Sequence, residues 1–155
     1  MLRQTELAEK QVELLTQAFP DRKRLAIQWD AISADQFSAA ERRAKALGLD
    51  VTSIKYEGPA YDFAGAFRRM SEGGAQQTLV LSSPFMGRAS QEIVNLAIRH
   101  RLPAMFIFRS YAELGGLMSY GADNVALFRQ MAIYVAKVLR GAKPADLPVE
   151  QPNTF

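Results

Sequence analysis

Side chains able to hold a small molecule gather in a few short stretches. They are Trp29-Asp30-Ala31-Ile32, Glu57 to Tyr61, Ser82-Ser83-Pro84-Phe85 and Phe108-Arg109-Ser110-Tyr111, with a glycine pair at Gly115-Gly116. Hydroxyls followed by proline suit the opening of a helix, where free N–H groups favour an anion. Arg109 offers a planar fork for a carboxylate. Trp29, Tyr61, Phe85 and Phe108 offer flat faces on which a ring could stack. Together, Trp29, Asp30, Tyr61, Ser82, Ser83, Phe85, Phe108 and Arg109 are the candidate ligand contacts. The chemistry they suit is recognition of a small carboxylate with an apolar or aromatic body.

Each of these residues also has a purely structural reading. Trp29 more often serves as a core residue at a strand end, and Ser82-Ser83-Pro84 can serve simply as a helix cap. Arg109 can pair with Glu113 or Asp30, and Tyr111 and Tyr120 can pack between layers. His100, the single histidine, follows a helix C-terminus, where a cation is favourable.

Bond-making chemistry finds little support. There is no Gly-x-Ser-x-Gly elbow, no Gly-x-x-x-x-Gly-Lys loop and no Gly-x-Gly-x-x-Gly after the first strand. One histidine and no cysteine leave only scattered carboxylates for a metal, so neither metal nor cofactor is expected. A phosphoacceptor receiver would need an acid at the end of the third strand, where Ser82 stands. A flavin-binding loop would need glycine between Trp29 and Ser33.

These stretches are positioned by alternating elements. A helix is expected over residues 2–19 (Ala8, Val12, Leu15 and Phe19 inward), then a strand over Arg24 to Asp30. Ser33 with Gln36 reads as a capping box for a helix lined by Phe37, Ala40, Ala44 and Leu47, with Gly48 as its stop. Val51 to Tyr56 reads as an edge strand, Asp62 as the cap of a helix carrying Phe63, Phe67 and Met70. Thr78 to Ser82 is the clearest core strand; a helix from Met86 to His100 and a strand over Ala104 to Phe108 follow. Strands alternating with helices of this length predict βαβ units, that is, an α/β fold with an open, mainly parallel sheet of four or five strands. Right-handed crossovers place helices on both faces, in flavodoxin-like layering. Ligands in such sheets lie at the carboxyl ends of the strands, which is where the candidate residues fall.

Composition bounds the partners. The 155 residues suffice for one domain, and 19 basic against 16 acidic side chains leave a net charge of +3. The basic residues are scattered, so no nucleic-acid face is expected. No run reaches the 18 to 20 or so apolar residues of a membrane span, so no membrane insertion is expected. Met1 to Leu7 lacks a signal-peptide pattern, which predicts a cytoplasmic protein if the chain is complete.

After Phe108 the chain changes character. Gly115-Gly116-Leu117-Met118-Ser119-Tyr120-Gly121 leads into an amphipathic run (Val125, Phe128, Met131, Val135, Val138) ending at Arg140-Gly141. The stretches "EKQVELLTQAFPDRKRLAIQWD", "IRHRLPAMFIFRSYAELGGLMSYG" and "LRGAKPADLPVEQP" resemble ABC transporter substrate-binding proteins of the periplasmic-binding-protein-like type I, tryptophan and aromatic amino-acid class. Asp30 stands where that family usually carries asparagine. The resemblance covers roughly the second half of such a bilobed receptor.

The resemblance implies a non-catalytic solute binder, periplasmic, serving an ABC permease, with an aromatic or branched amino acid or related carboxylate as solute. It also implies the organisation: residues 1–114 as the ligand-binding lobe, 115–121 as a hinge strand through Gly115, Gly116 and Gly121, and 122–155 as a helix and tail for the other lobe. A helix with an unmatched apolar stripe implies a homodimer for this chain. A stand-alone cytoplasmic α/β ligand sensor or dimeric scaffold is the alternative.

Overall fold

The computed structural model describes residues 4–148. Five parallel strands form one sheet in the order β2-β1-β3-β4-β5: β1 Arg24–Trp29, β2 Asp50–Lys55, β3 Gln77–Val80, β4 Ala104–Phe106 and β5 Met118–Ser119. The first crossover runs one way and the later ones run the other. The strand order therefore reverses between β1 and β3, which opens a crevice at their carboxyl ends.

Alternation along β1 assigns the two layers. Leu25, Ile27 and Trp29 face α1 (Gln4–Ala18) and α2 (Ala34–Ala46), in a core with Val12, Leu15, Ala40, Leu79 and Met105. Ala26 faces α3 (Phe63–Glu72) and α5 (Ser90–Arg99), in a core with Phe67, Met70, Val80, Ile93 and Phe106. Burial of two apolar layers against one sheet is the dominant stabilising contribution. Inside the second layer, Tyr56 donates to Gln28 Oε1 (2.6 Å), Gln28 Nε2 donates to Thr78 Oγ1 (3.0 Å), and the Thr78 hydroxyl donates to the Ala26 carbonyl (3.0 Å). This chain of bonds satisfies polar groups that would be costly if buried alone.

Several element boundaries differ from the sequence expectation, each for a local reason. The helix expected from Met86 to His100 is two: α4 (Pro84–Arg88), with Ser83 as N-cap and Pro84 at its first position, and α5, separated by Ala89 at φ −96°, ψ 14°. Gly87, a weak helix former, sits just before the break. The expected Ser33 cap of α2 makes no capping hydrogen bond. Asp30 instead caps a single 3-10 turn (Ala31–Ser33), and Ser33 returns a bond to its backbone. β3 ends at Val80 rather than Ser82 because the Gln36 side chain takes both polar groups of the Ser82 backbone.

Beyond α6 (Arg109–Glu113), β5 extends the sheet, with Tyr120 N–H donating to the Phe106 carbonyl at 2.9 Å. The turn packs closely: a Cβ at Gly116 would lie 2.6 Å from the Tyr111 carbonyl oxygen, and one at Gly121 only 2.2 Å from that of Ile107. From α1, Gln11 Nε2 donates to the Tyr120 carbonyl at 2.7 Å and ties this end of the sheet down. α7 (Asn124–Leu139) then carries Val125, Phe128, Met131, Val135 and Val138 exposed.

Gly121→Ala should therefore cost about 1–3 kcal/mol of folding stability, because the backbone of Ile107 leaves no room for a methyl group. Gly87→Ala, with open space around its Cβ position, should be neutral or slightly stabilising. Urea denaturation of the two variants checks the contrast.

Candidate functional site

A cleft of about 950 Å³ opens beside the carboxyl ends of β1 and β3. Ser82, Ser83 and Phe108 line it from the loops after β3 and β4, Ile32 and Gln36 from the 3-10 turn and α2, and Glu9 from α1. Gln36 holds the Ser82 backbone from both sides: its Nε2 donates to the Ser82 carbonyl (3.2 Å), and the Ser82 N–H donates to its Oε1 (3.1 Å). The loop after β3 is thus fixed by a side chain 46 positions earlier in the sequence.

Asp30 lies behind this wall, with 1 % of its surface exposed. Its Oδ1 accepts from the N–H of Ile32 (3.0 Å), the N–H of Ser33 (3.1 Å) and the Ser33 hydroxyl (3.0 Å), and its Oδ2 accepts from the Tyr61 hydroxyl (3.1 Å). The Ser83 side chain, from the loop after β3, favours the charged form of the same carboxylate. Burial pushes the acid up. The side chains of Ser83, Ser33 and Tyr61 outweigh it, so the carboxyl is held below the ordinary aspartate value. Burial also raises the phenols of Tyr61, Tyr56 and Tyr111, the last to about 12, so all three stay protonated at neutral pH.

The expected contacts separate into groups. Ser82, Ser83 and Phe108 line the cleft together. Asp30 stands behind Ser83, and Tyr61 and Phe85 pack against each other at a ring-centroid distance of 5.4 Å, with Tyr61 also stacked on Tyr56 at 5.1 Å. Trp29 lies apart from these: its ring stacks on Phe37 (4.4 Å, 11°), its N–H donates to Ser53 Oγ (2.8 Å), and it belongs to the α1–α2 layer. Arg109 is exposed and its Nε donates to Glu113 at 3.1 Å. Gln36 was taken only as part of a helix cap; its bond to Ser82 joins distant segments, and no local pattern announces it. Of the cleft's remaining charged residues, Arg42 pairs with Glu9 at 3.0 Å, and Asp35 sits in the first turn of α2.

A second concavity of about 620 Å³ is lined wholly by residues of α7 and of 144–148, including Met131, Tyr134, Val135 and Leu147. It is apolar, and it is not at the strand ends. Among the described residues no group of three or more His, Asp or Glu side chains could hold a metal, and no helix is long and apolar enough to cross a membrane.

The family model described as "ABC transporter substrate binding protein" matches residues 2–155. No curated protein sequence matches the chain. Among solved structures, an ABC domain in complex with L-Trp from Streptococcus pneumonia is similar at 24% identity and TM-score 0.74, over 96% of this chain and 52% of that one. A conserved domain protein from Vibrio cholerae is similar at 23% identity and TM-score 0.75, over 94% and 50%. The ligand-free, open form of a substrate-binding protein with adhesive properties from Clostridium difficile is similar at 18% identity and TM-score 0.62, over 94% and 50%. At these identities the likeness to the solved structures is one of fold, and the chain spans about half the length of each. The chain belongs to the ABC transporter substrate-binding protein family.

The Asp30 carboxylate should make stability depend on acid pH in a defined direction. A carboxyl lowered in the folded state contributes stability that is fully present above its unfolded pKa, about 3.9, and lost as pH falls through the lower folded value. Urea midpoints of the wild type should fall below about pH 4 more steeply than those of Asp30→Asn, whose side chain does not titrate there. Parallel profiles would show that Asp30 is not ionised in the fold.

Proposed function

We propose that this member of the ABC transporter substrate-binding family is the solute-holding lobe of an importer's receptor, and that it binds an aromatic or branched amino acid or a related carboxylate without making or breaking a bond. The single observation that carries this reading is the cleft at the β1–β3 switch point. Its walls are held rigid by Gln36 and Asp30, and it presents hydroxyls and an aromatic edge with no catalytic constellation. The L-Trp bound to the similar Streptococcus pneumonia domain supports the choice of solute class.

In this reading residues 1–114 are the ligand-binding lobe. Residues 115–121 are the crossing that lets two lobes close on a solute, and α7 with the tail docks on the other lobe. The partner is an ABC permease and the setting periplasmic. Ser82, Ser83 and Phe108 touch the solute, Tyr61 and Phe85 form its aromatic border, and Asp30 braces the wall. Trp29 and Arg109, each already engaged within the chain, serve the lobe's own structure.

A second reading, a stand-alone ligand sensor or dimeric scaffold, is favoured by one observation: Phe128, Met131 and Val135 stand exposed on α7. A patch of this kind is a liability unless covered. In isolation the chain should then form a homodimer through α7, and Phe128→Asp should return it to a monomer. Light scattering across a concentration series reads both, and a wild type that stays monomeric at high concentration contradicts the homodimer.

The receptor reading is tested by thermal unfolding with aromatic and branched amino acids and with aromatic carboxylates. A solute that binds only the folded state raises the midpoint with dose. The rise should be confined to one chemical class and should be reduced in Phe108→Ala. A flat response to every compound contradicts the reading.

A further inference from the structure

Gln11 is a polar residue on the inner face of α1, with 1 % of its surface exposed. A buried amide needs partners, and Gln11 finds one 109 positions along the chain. Its Nε2 donates to the Tyr120 carbonyl at 2.7 Å and lies 3.5 Å from the carbonyl of Phe106. The Phe106 carbonyl also accepts from the Tyr120 N–H at 2.9 Å. Both backbone groups of Tyr120 are therefore held, one by β4 and one by α1.

The residues before Tyr120 are fastened as well. The Gly115 N–H donates to the Ala112 carbonyl at 3.0 Å and the Gly116 N–H to that of Tyr111 at 2.8 Å. Gly116 and Gly121 are packed too closely for a Cβ, and Met118 and Ser119 pair with Met105 and Phe106. On the far side the contacts belong to a different unit. Asp123 Oδ1 accepts from the N–H groups of Val125 and Ala126 at 2.9 and 3.1 Å, and the Tyr134 hydroxyl donates to the Pro148 carbonyl at 2.7 Å. Between the two units lie Ala122 and Asp123, both half-buried. A hinge is a few residues of this kind, at the end of an element, that absorb the change in φ and ψ.

We propose that the joint of this chain is Ala122–Asp123 rather than the pair Gly115-Gly116, and that Gln11 is the positioning residue that keeps the crossing strand part of the lobe. α1 also lends Gln4, Thr5 and Glu9 to the cleft. One helix therefore carries a wall of the cleft and the end of the strand that leads to the joint. The proposal rests on the receptor reading for what moves: the lobes turn about residues 122–123, and residues 115–121 follow the cleft wall.

Residual dipolar couplings and amide exchange of the isotope-labelled chain, with no solute added, test it. Couplings from residues 4–121 should fit one alignment and those from α7 another, with the break at 122–123. The Tyr120 amide should exchange at least about tenfold more slowly than those of Ala122 and Asp123. In Gln11→Leu the Tyr120 protection should fall at least about tenfold and the break should move back toward Gly115, while the amides of Ile27 and Leu79 keep their protection. Gln11→Met replaces that variant if it does not fold. A uniform loss across the core strands, or an unchanged Tyr120, would overturn the role of Gln11. A break at Gly115-Gly116, or a single alignment over residues 4–148, would overturn the joint. Either failure leaves the solute-binding reading standing, because that reading falls only on a flat thermal response to every solute.

Discussion

The Asp30 carboxylate sits at the carboxyl end of β1 and accepts hydrogen bonds from the turn that follows β1 and from Tyr61 in the loop after β2. An ionised group this deeply buried is tolerated only when donors replace its water, and here four side-chain and backbone groups do so. The consequence is mechanical as well as electrostatic. Two loops that would otherwise move separately share one anchor, and Gln36 fixes the loop after β3 through the Ser82 backbone. The cleft inherits its shape from these bonds.

The sheet supplies the rest of the constraint. Because strand order reverses between β1 and β3, the loops after these strands diverge and leave a crevice that close packing does not fill. The same topology hands the two cores to different helices. α1 and α2 cover one face, α3 and α5 the other, and α7 covers neither extensively, since all its large apolar side chains noted above are exposed. α7 instead meets residues 144–148, where the Tyr134 hydroxyl donates to the Pro148 carbonyl at 2.7 Å.

Much of this was legible in the sequence because it is local. The parallel α/β sheet, the positions of the strands and the Asp62 and Gly48 helix ends all follow from periodicity and from turn chemistry within a few residues. The strand-end rule also places the candidate contacts at the carboxyl ends of the strands. What was not legible depends on partners far along the chain. Which face Trp29 occupies follows from its parity with Leu25 and Ile27 only once the α1–α2 layer is known to cover that face. Ser33 does stand at the start of α2, but its hydroxyl is taken by the capping box that Asp30 forms one turn earlier, a pairing that the Ser33–Gln36 spacing does not announce. Gln36 read as the capping-box partner of Ser33, and only the fold brings Ser82 to it.

The most direct test of the central claim is where a solute touches the chain. An amide chemical-shift titration of the isotope-labelled protein with L-tryptophan should move the signals of Ile32, Ser82, Ser83 and Phe108 together, with one saturating curve. Shifts confined to the apolar groove of α7 and residues 144–148, with the strand ends silent, would contradict the account and place recognition elsewhere on the chain.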